Sequence, residues 1–278
     1  PKPNPQMLVS ATVFHCLIQK VMSNEVKNSA FHSLCYLILA LLYYNPAFAT
    51  EIRKELDVTN FPPLIFNTEL NEETRILVVA LLADLVITNE SFQQICTSYD
   101  FLTGIRKELG TAKPRRALWL LILIRRSFHL FSPESNDFIC NGLHVQCASF
   151  IFHKASSCRA AAVSAITCFL RPFECDLNGQ LLFMVLPTVF DASYLVRFHL
   201  LLLLKKFVVS FDCCSDSINV PEPSFPDDTF GSMMSAFYRC KTFSKDNFFY
   251  EIDDVVHSDK FIKHAYSVAL FVIKLFTN

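Results

Sequence analysis

The sequence predicts an all-α chain of stacked helical repeats, on three observations. First, one stretch recurs: a basic residue followed by small and aliphatic residues at helical spacing, with no Gly or Pro inside. RILVVALLADLVI starts at Arg75, RALWLLILIRRSF at Arg116, RAAAVSAITCFL at Arg159 and RFHLLLLLKKFVV at Arg197. Weaker copies start at Lys27 (KNSAFHSLCYLIL) and Lys263 (KHAYSVALFVIKLF). Second, these starts are separated by 48, 41, 43 and 38 residues, with a last interval of 66 that leaves room for an insertion. A period of roughly 40–47 residues is that of units made of two or three helices. Third, 52% of the 278 residues are hydrophobic, 28 are Phe and only 5 are Gly. That supplies a large helical core and argues against Gly-rich nucleotide-binding α/β domains and most β-sandwiches. The fold class expected is an all-α, HEAT/armadillo-like α-α superhelical solenoid of about six repeats.

Residues 1–6 (PKPNPQ) read as a linker, and 7–278 as the solenoid. A helix over 7–22 turns at Ser23–Asn24 into a second over 25–44. Asn45–Pro46 ends that one, because proline disfavours helical geometry in the residue before it. Residues 47–56 are expected to be helical, 58–63 a turn, 64–68 a short apolar helix and 69–73 the next turn. A long helix over 75–88 ends at Asn89–Glu90–Ser91, which also caps a helix over 92–98. Another follows over 101–109, with Gly110 as its carboxyl cap. Residues 112–114 turn into the Arg116 helix, and Ser132–Pro133–Glu134–Ser135 starts a further one. An outer helix over 143–153 precedes the helix over 159–170. Residues 172–179 are expected to be a loop, 180–190 an outer helix, and 191–193 the turn into the Arg197 helix. The acidic stretch 212–228 (DCCSDSINVPEPSFPDD) has three prolines, three serines and five acidic residues, and reads as an insertion. Residues 230–250 are weakly helical in pattern, and 260–277 close the chain as an apolar helix.

Charge and hydropathy exclude several classes. Net charge is −1, from 25 basic and 26 acidic residues, so the whole chain carries no electrostatic footprint for nucleic acid or an anionic membrane. Mean hydropathy is +0.32. However, the longest stretch free of Asp, Glu, Lys and Arg, 28–50, has a strongly apolar part of only 11 residues, 34–44. A spanning helix needs about 20. The 11 cysteines are odd in number, scattered and without CxxC pairs, a reduced intracellular pattern. No secretory leader is visible, and the missing initiator Met points to a piece of a longer protein.

No constellation of residues carries chemistry. His144 lies between Cys140 and Cys147, but three residues over this span lack zinc spacing and no second pair answers them. Cys213–Cys214 sits beside Asp212 and Asp216, which raise thiol pKa. The carboxylate pairs Glu72–Glu73 and Asp227–Asp228 fall in expected turns and read as solvated charge. There is no GxSxG, no phosphate-cradling glycine loop and no HExxH. Arg115–Arg116 and Arg125–Arg126 flank one helix; a basic stripe is one reading, and a contact from Arg116 to the neighbouring repeat the favoured one. The expectation is no catalytic, cofactor-binding or metal-binding residue, with Arg75, Arg116, Arg159, Arg197 and Lys263 as structural repeat positions.

Four stretches resemble the HEAT-repeat region of the Raptor family, the scaffold subunit of TOR complex 1. They are ETRILVVALLADLVITNESFQQIC from Glu73, KPRRALWLLILIRRSFHLF from Lys113, SSCRAAAVSAITCFL from Ser156 and QLLFMVLPTVFDASYLVRFHLLLLLKKFVVSFD from Gln180. In that family a short turn leads to an Arg preceded by an aliphatic residue and followed by an apolar run. The small residues after Arg159 and the turn from Asp191 to Arg197 are the most similar parts. The family also has a serine-rich insertion before its last unit, where this chain has the shorter 212–228. Cys158 and Arg115 stand where an aliphatic residue is usual, and Lys263 replaces Arg, as in a divergent member.

The resemblance implies a non-catalytic scaffold that packs on the TOR kinase's own helical repeats and receives Rag-type GTPases. It implies no cofactor, no nucleic acid and no direct membrane insertion. The implied location is the cytoplasm, with recruitment to the lysosomal or vacuolar surface through partners. Residues 69–99, with QQICTSYDF, are also faintly similar to the armadillo subunit of the CCR–NOT deadenylase, the alternative reading. The repeats beyond Pro133 favour the Raptor class.

Overall fold

The computed structural model describes residues 28–44, 61–87, 90–128, 142–171 and 175–212. The expectations for 1–24, Asn45–Pro46, 47–56, 58–60, 132–135, the insertion beyond Asp212, 230–250 and Lys263 lie outside the described residues. The chain divides into two compact units, Pro1–Phe131 and Ser132–Asn278. Both are helical, and no strand occurs among the described residues.

The first unit contains α1 (Asn28–Tyr44), a 3-10 turn (Pro62–Phe66), α2 (Glu72–Leu85), α3 (Glu90–Cys96), α4 (Tyr99–Thr111) and α5 (Pro114–Ser127). α2 packs between α1 and α5 and rests on the 3-10 turn. Its sequence leaves little choice, since nine of its 14 residues are buried. Each large aliphatic one among them contributes about 1.5–3 kcal/mol. Cross-helix contacts show how the three helices align. His32 Nδ1 meets Thr74 Oγ1 at 3.2 Å, Arg115 Nη1 donates to Glu73 Oε2 at 2.8 Å, and Arg126 Nη1 donates to Asp84 Oδ1. Each pair is 42 residues apart. For α2 and α5 the same separation at both ends requires the two to run parallel in register, because antiparallel neighbours would change it at every turn. Phe61 and Phe92 meet edge to face at 6.4 Å in the layer behind.

The second unit repeats the scheme. α6 (Leu143–Ala148) and the 3-10 turn Ser149–Phe152 lead to α7 (Ser156–Ile166), which tightens into the 3-10 turn Thr167–Phe169. α8 (Cys175–Val185) with the 3-10 turn Leu186–Phe190 leads to α9 (Tyr194–Asp212). α7 and α9 pack together, backed by α6 and α8. The run of Ala160, Ala161, Ala162 and Ala165 is buried, and small side chains allow this close approach.

Several expected boundaries move, each for a local reason. α2 starts at Glu72 inside the expected 69–73 turn, because Asn71 caps it by accepting from Thr74 N at 2.8 Å. The expected helix over 64–68 is a 3-10 turn two residues earlier, seeded by Pro62 and Pro63. The helix expected over 92–98 is α3, and starts and ends two residues sooner. Gly110 is not a carboxyl cap. α4 runs through it to Thr111, and Ala112 N bonds Glu108 O, since the end is dictated by Pro114 at the start of α5. The 143–153 helix splits into α6 and a 3-10 turn, with Ser149 Oγ bonding back to Gln146 O at 2.8 Å. Likewise the 159–170 helix becomes 3-10 where Thr167 Oγ1 donates to Val163 O. The expected 172–179 loop is helical from Cys175. The Asn178 amide accepts from Arg171 N at 2.9 Å and donates to Arg171 O at 2.6 Å, pinning the start of α8 to the preceding turn. The 180–190 helix stops at Val185 because Pro187 cannot continue it.

Candidate interaction surface

The repeated arginines all sit at the third or fourth position of an inner helix, and each reaches a neighbouring element of its own compact unit. Arg75 Nη2 donates to Glu108 Oε2 at 2.6 Å, while its Nε and Nη2 reach Ile65 O at 3.2 Å. Arg116 Nη1 lies 3.4 Å from the same Glu108 oxygen and 3.3 Å from Glu72 Oε2. One carboxylate thus stands between two successive arginines. The second unit has the same device. Arg159 holds Asp191 in a fork, Nε to Oδ2 at 2.5 Å and Nη2 to Oδ1 at 2.9 Å, and its Nη1 donates to His153 O at 2.8 Å. Arg197 Nη1 then donates to Asp191 O at 2.5 Å. Hydrogen bonds from Arg159 hold the Asp191 carboxyl below the usual carboxylate range, and the same bonds raise the Arg159 guanidinium. Lys263 lies outside the described residues.

Of the carboxylate pair read as solvated charge, Glu73 is exposed, its side chain 59% accessible, whereas Glu72 is half-buried against Arg116. Glu72 and Glu73 cross to Arg116 and Arg115 on the next inner helix. With Asp84 on Arg126, three of the four arginines that flank α5 face a carboxylate, so the stripe has no open basic character there. Sequence reasoning did not find these pairings. The signal was present as acids on α2 42 or 44 residues before arginines on α5, and becomes readable only once the register is known.

His144 is buried, its ring 6.2 Å from that of Phe169, and its Nδ1 has no hydrogen-bond partner. Burial lowers its pKa to about 4. Cys147 is fully enclosed and its thiol is pushed up, first by burial and then by Cys168 nearby. Neutral imidazole and protonated thiol suit packing rather than ligation. No group of three His, Cys, Asp or Glu placed to hold a metal ion occurs among the described residues, and Cys140 lies outside them. No described helix is long and apolar enough to cross a membrane.

What the surface does offer is apolar. A helix apolar all round, as RFHLLLLL predicts for α9, is expected to be buried on every side. Val196, Leu200, Leu203, Leu204 and Phe207 are indeed buried, but Tyr194 is 72% exposed and Leu195, Phe198 and Leu202 are each 40% exposed or more. The last four lie along one side of the helix. Tyr194 and Phe198 stack at 6.2 Å between ring centres, and Phe190 in the preceding turn is exposed as well.

No protein-family model matches the chain, and no curated protein matches it. Solved structures do. The crystal structure of an engineered protein, a Northeast Structural Genomics Consortium target, is similar with a TM-score of 0.60 and 10% identity over 95% of this chain and 97% of that one. Raptor from Chaetomium thermophilum is similar with a TM-score of 0.59 and 14% identity, over 94% of this chain. This chain spans only 24% of that Raptor chain. At such identities the likeness is one of fold, and the fold class is the all-α, HEAT-like helical solenoid.

Proposed function

We propose that the chain is a non-catalytic scaffold module of the Raptor class, supporting a TOR kinase complex and engaging Rag-type GTPases. The observation that carries this reading is fold likeness to Raptor along 94% of the chain. The chemistry of the side chains agrees with it. Within each compact unit, Arg–carboxylate contacts join one helix to the next. The exposed face of α9 offers aromatic and aliphatic area, which suits protein association rather than bond-making. Such a module would act in the cytoplasm, brought to a lysosomal or vacuolar surface by its partners.

The test is affinity purification of the tagged chain followed by quantitative mass spectrometry. TOR kinase among the enriched proteins supports the reading. Enrichment of CCR–NOT deadenylase subunits without TOR kinase overturns it in favour of the armadillo-adaptor alternative. So does turnover of a small substrate by the purified chain.

A further inference from the structure

We propose that Phe152 and Phe190, with Lys154 beside them, dock an acidic, proline-rich segment of a partner protein held as a polyproline II helix. Each phenylalanine lies seven residues before a repeated arginine, Arg159 or Arg197, and closes the 3-10 turn that precedes it. The core side of those turns is filled by Ile151 in one and by Leu186 and Thr188 in the other, all buried. Phe152 is nevertheless 48% exposed and Phe190 61% exposed. At the matching positions of the first unit stand Thr68, which is polar, and Leu109, which is 2% exposed. Among the described repeats, exposed aromatics at this place therefore belong to the second unit and are not demanded by the repeat.

One guanidinium brings the two turns together. Arg159 Nη1 donates to His153 O at 2.8 Å, next in the chain after Phe152, and to Lys154 O at 3.0 Å. Its Nε and Nη2 hold the carboxylate of Asp191, next after Phe190. The phenylalanines thus stand on neighbouring turns at the same end of α7 and α9, and packed helices lie about 8–10 Å apart. A polyproline II segment has three residues per turn and rises about 3.1 Å per residue, so prolines at i and i+3 share a side about 9 Å apart. A strand returns to the same side after about 7 Å and fits that spacing less well. Exposed aromatic rings are the usual seats of such prolines. Charge selects the flanking residues. Within 149–159 and 186–197 the charged side chains are Lys154, Arg159 and Arg197 against the single carboxylate of Asp191, which Arg159 already holds. The excess is positive and Lys154 is exposed, so acids beside the prolines are attracted and basic residues repelled.

This edge lies within one compact unit and does not depend on which complex the chain serves. The test is fluorescence anisotropy with the full chain and a fluorescein-labelled peptide carrying two prolines three residues apart, flanked by Asp and Glu. A saturable rise is expected. Replacing the prolines by Gly, or the acids by Lys, should weaken binding at least tenfold. Phe152→Ser with Phe190→Ser should do the same, with far-UV circular dichroism checking that the double variant is folded. Lys154→Glu, at an exposed position, should weaken binding at least threefold without touching the core. No saturable rise, equal binding by a helix-forming peptide of the same charge, or binding unchanged by Lys154→Glu or by the folded double variant overturns the proposal.

Discussion

Asp191→Ala removes the most concentrated polar node of the second unit. The carboxyl takes two hydrogen bonds from Arg159, at 2.5 and 2.9 Å, and one from Ser193 N at 2.8 Å. A bond to a charged group contributes about 1.5–3 kcal/mol and a neutral one about 1 kcal/mol. The Arg159 and Asp191 side chains are 18% and 8% exposed, so solvent screens the fork only in part. The expected loss is about 2–4 kcal/mol, measured by urea unfolding followed through far-UV circular dichroism. Asp191→Asn, which keeps the Ser193 turn, should lose about half of that. A double-mutant cycle with Arg159→Met should return a coupling of about 1.5–3 kcal/mol at pH 7. The pH dependence has a definite sign. Asp191 has a folded pKa below its unfolded value of 3.8, so its contribution is complete above that value and fades as pH falls through the lower, folded one. The gap between the parent chain and Asp191→Asn should therefore be constant from pH 7 to 5 and close below the carboxylate range. A coupling under about 0.5 kcal/mol, or a gap that persists unchanged in acid, refutes the node as the joint between Arg159 and Arg197.

Other outcomes follow from burial and close contact. His144 folds with a pKa of about 4 against 6.5 when unfolded, so the stability tied to its neutral form is lost between these values, about 3 kcal/mol in all. His144→Gln should flatten the fall in unfolding free energy between pH 6.5 and 4; a parallel curve counts against it. Gly104 lies inside α4, where a Cβ would come within 2.5 Å of Phe66 Cζ. Gly104→Ala should cost stability despite its better helix propensity, and in a Phe66→Leu background it should gain about 0.5–1 kcal/mol. Thermal melts of the four chains decide this. Burial pushes the Cys35 and Cys96 thiols up to about 12, so peptide mapping after iodoacetamide at pH 8 should find both unmodified until the chain is unfolded.

The inner helices were legible because each is a long apolar run behind a basic residue, and no turn chemistry interrupts α2, α5, α7 or α9. Their ends and the helices behind them were less so. Gly110 looked like a terminator, but a glycine ends a helix only if the next residues leave, and it was Pro114 that made them leave. The loop expected over 172–179 hid the start of α8 because Asn178 satisfies backbone groups of Arg171 seven residues earlier, a bond with no local signature. Glu72 looked solvated because its partner, Arg116, lies on the next inner helix, far along the chain. The apolar run of α9 announced burial but not its direction, and the exposed side became visible only with α7 and α8 in place.

The fixed 42-residue offset makes the chain tolerant of length changes in some places and brittle in others. Extra residues in a connector leave every cross-helix pair untouched, since Glu73 still meets Arg115 and Asp84 still meets Arg126. A single residue inserted midway along α2 keeps the first pair and swings Asp84 about 100° around the helix axis, away from Arg126. Epitope tags and accumulated insertions should accordingly be accepted between the helices and rejected within them.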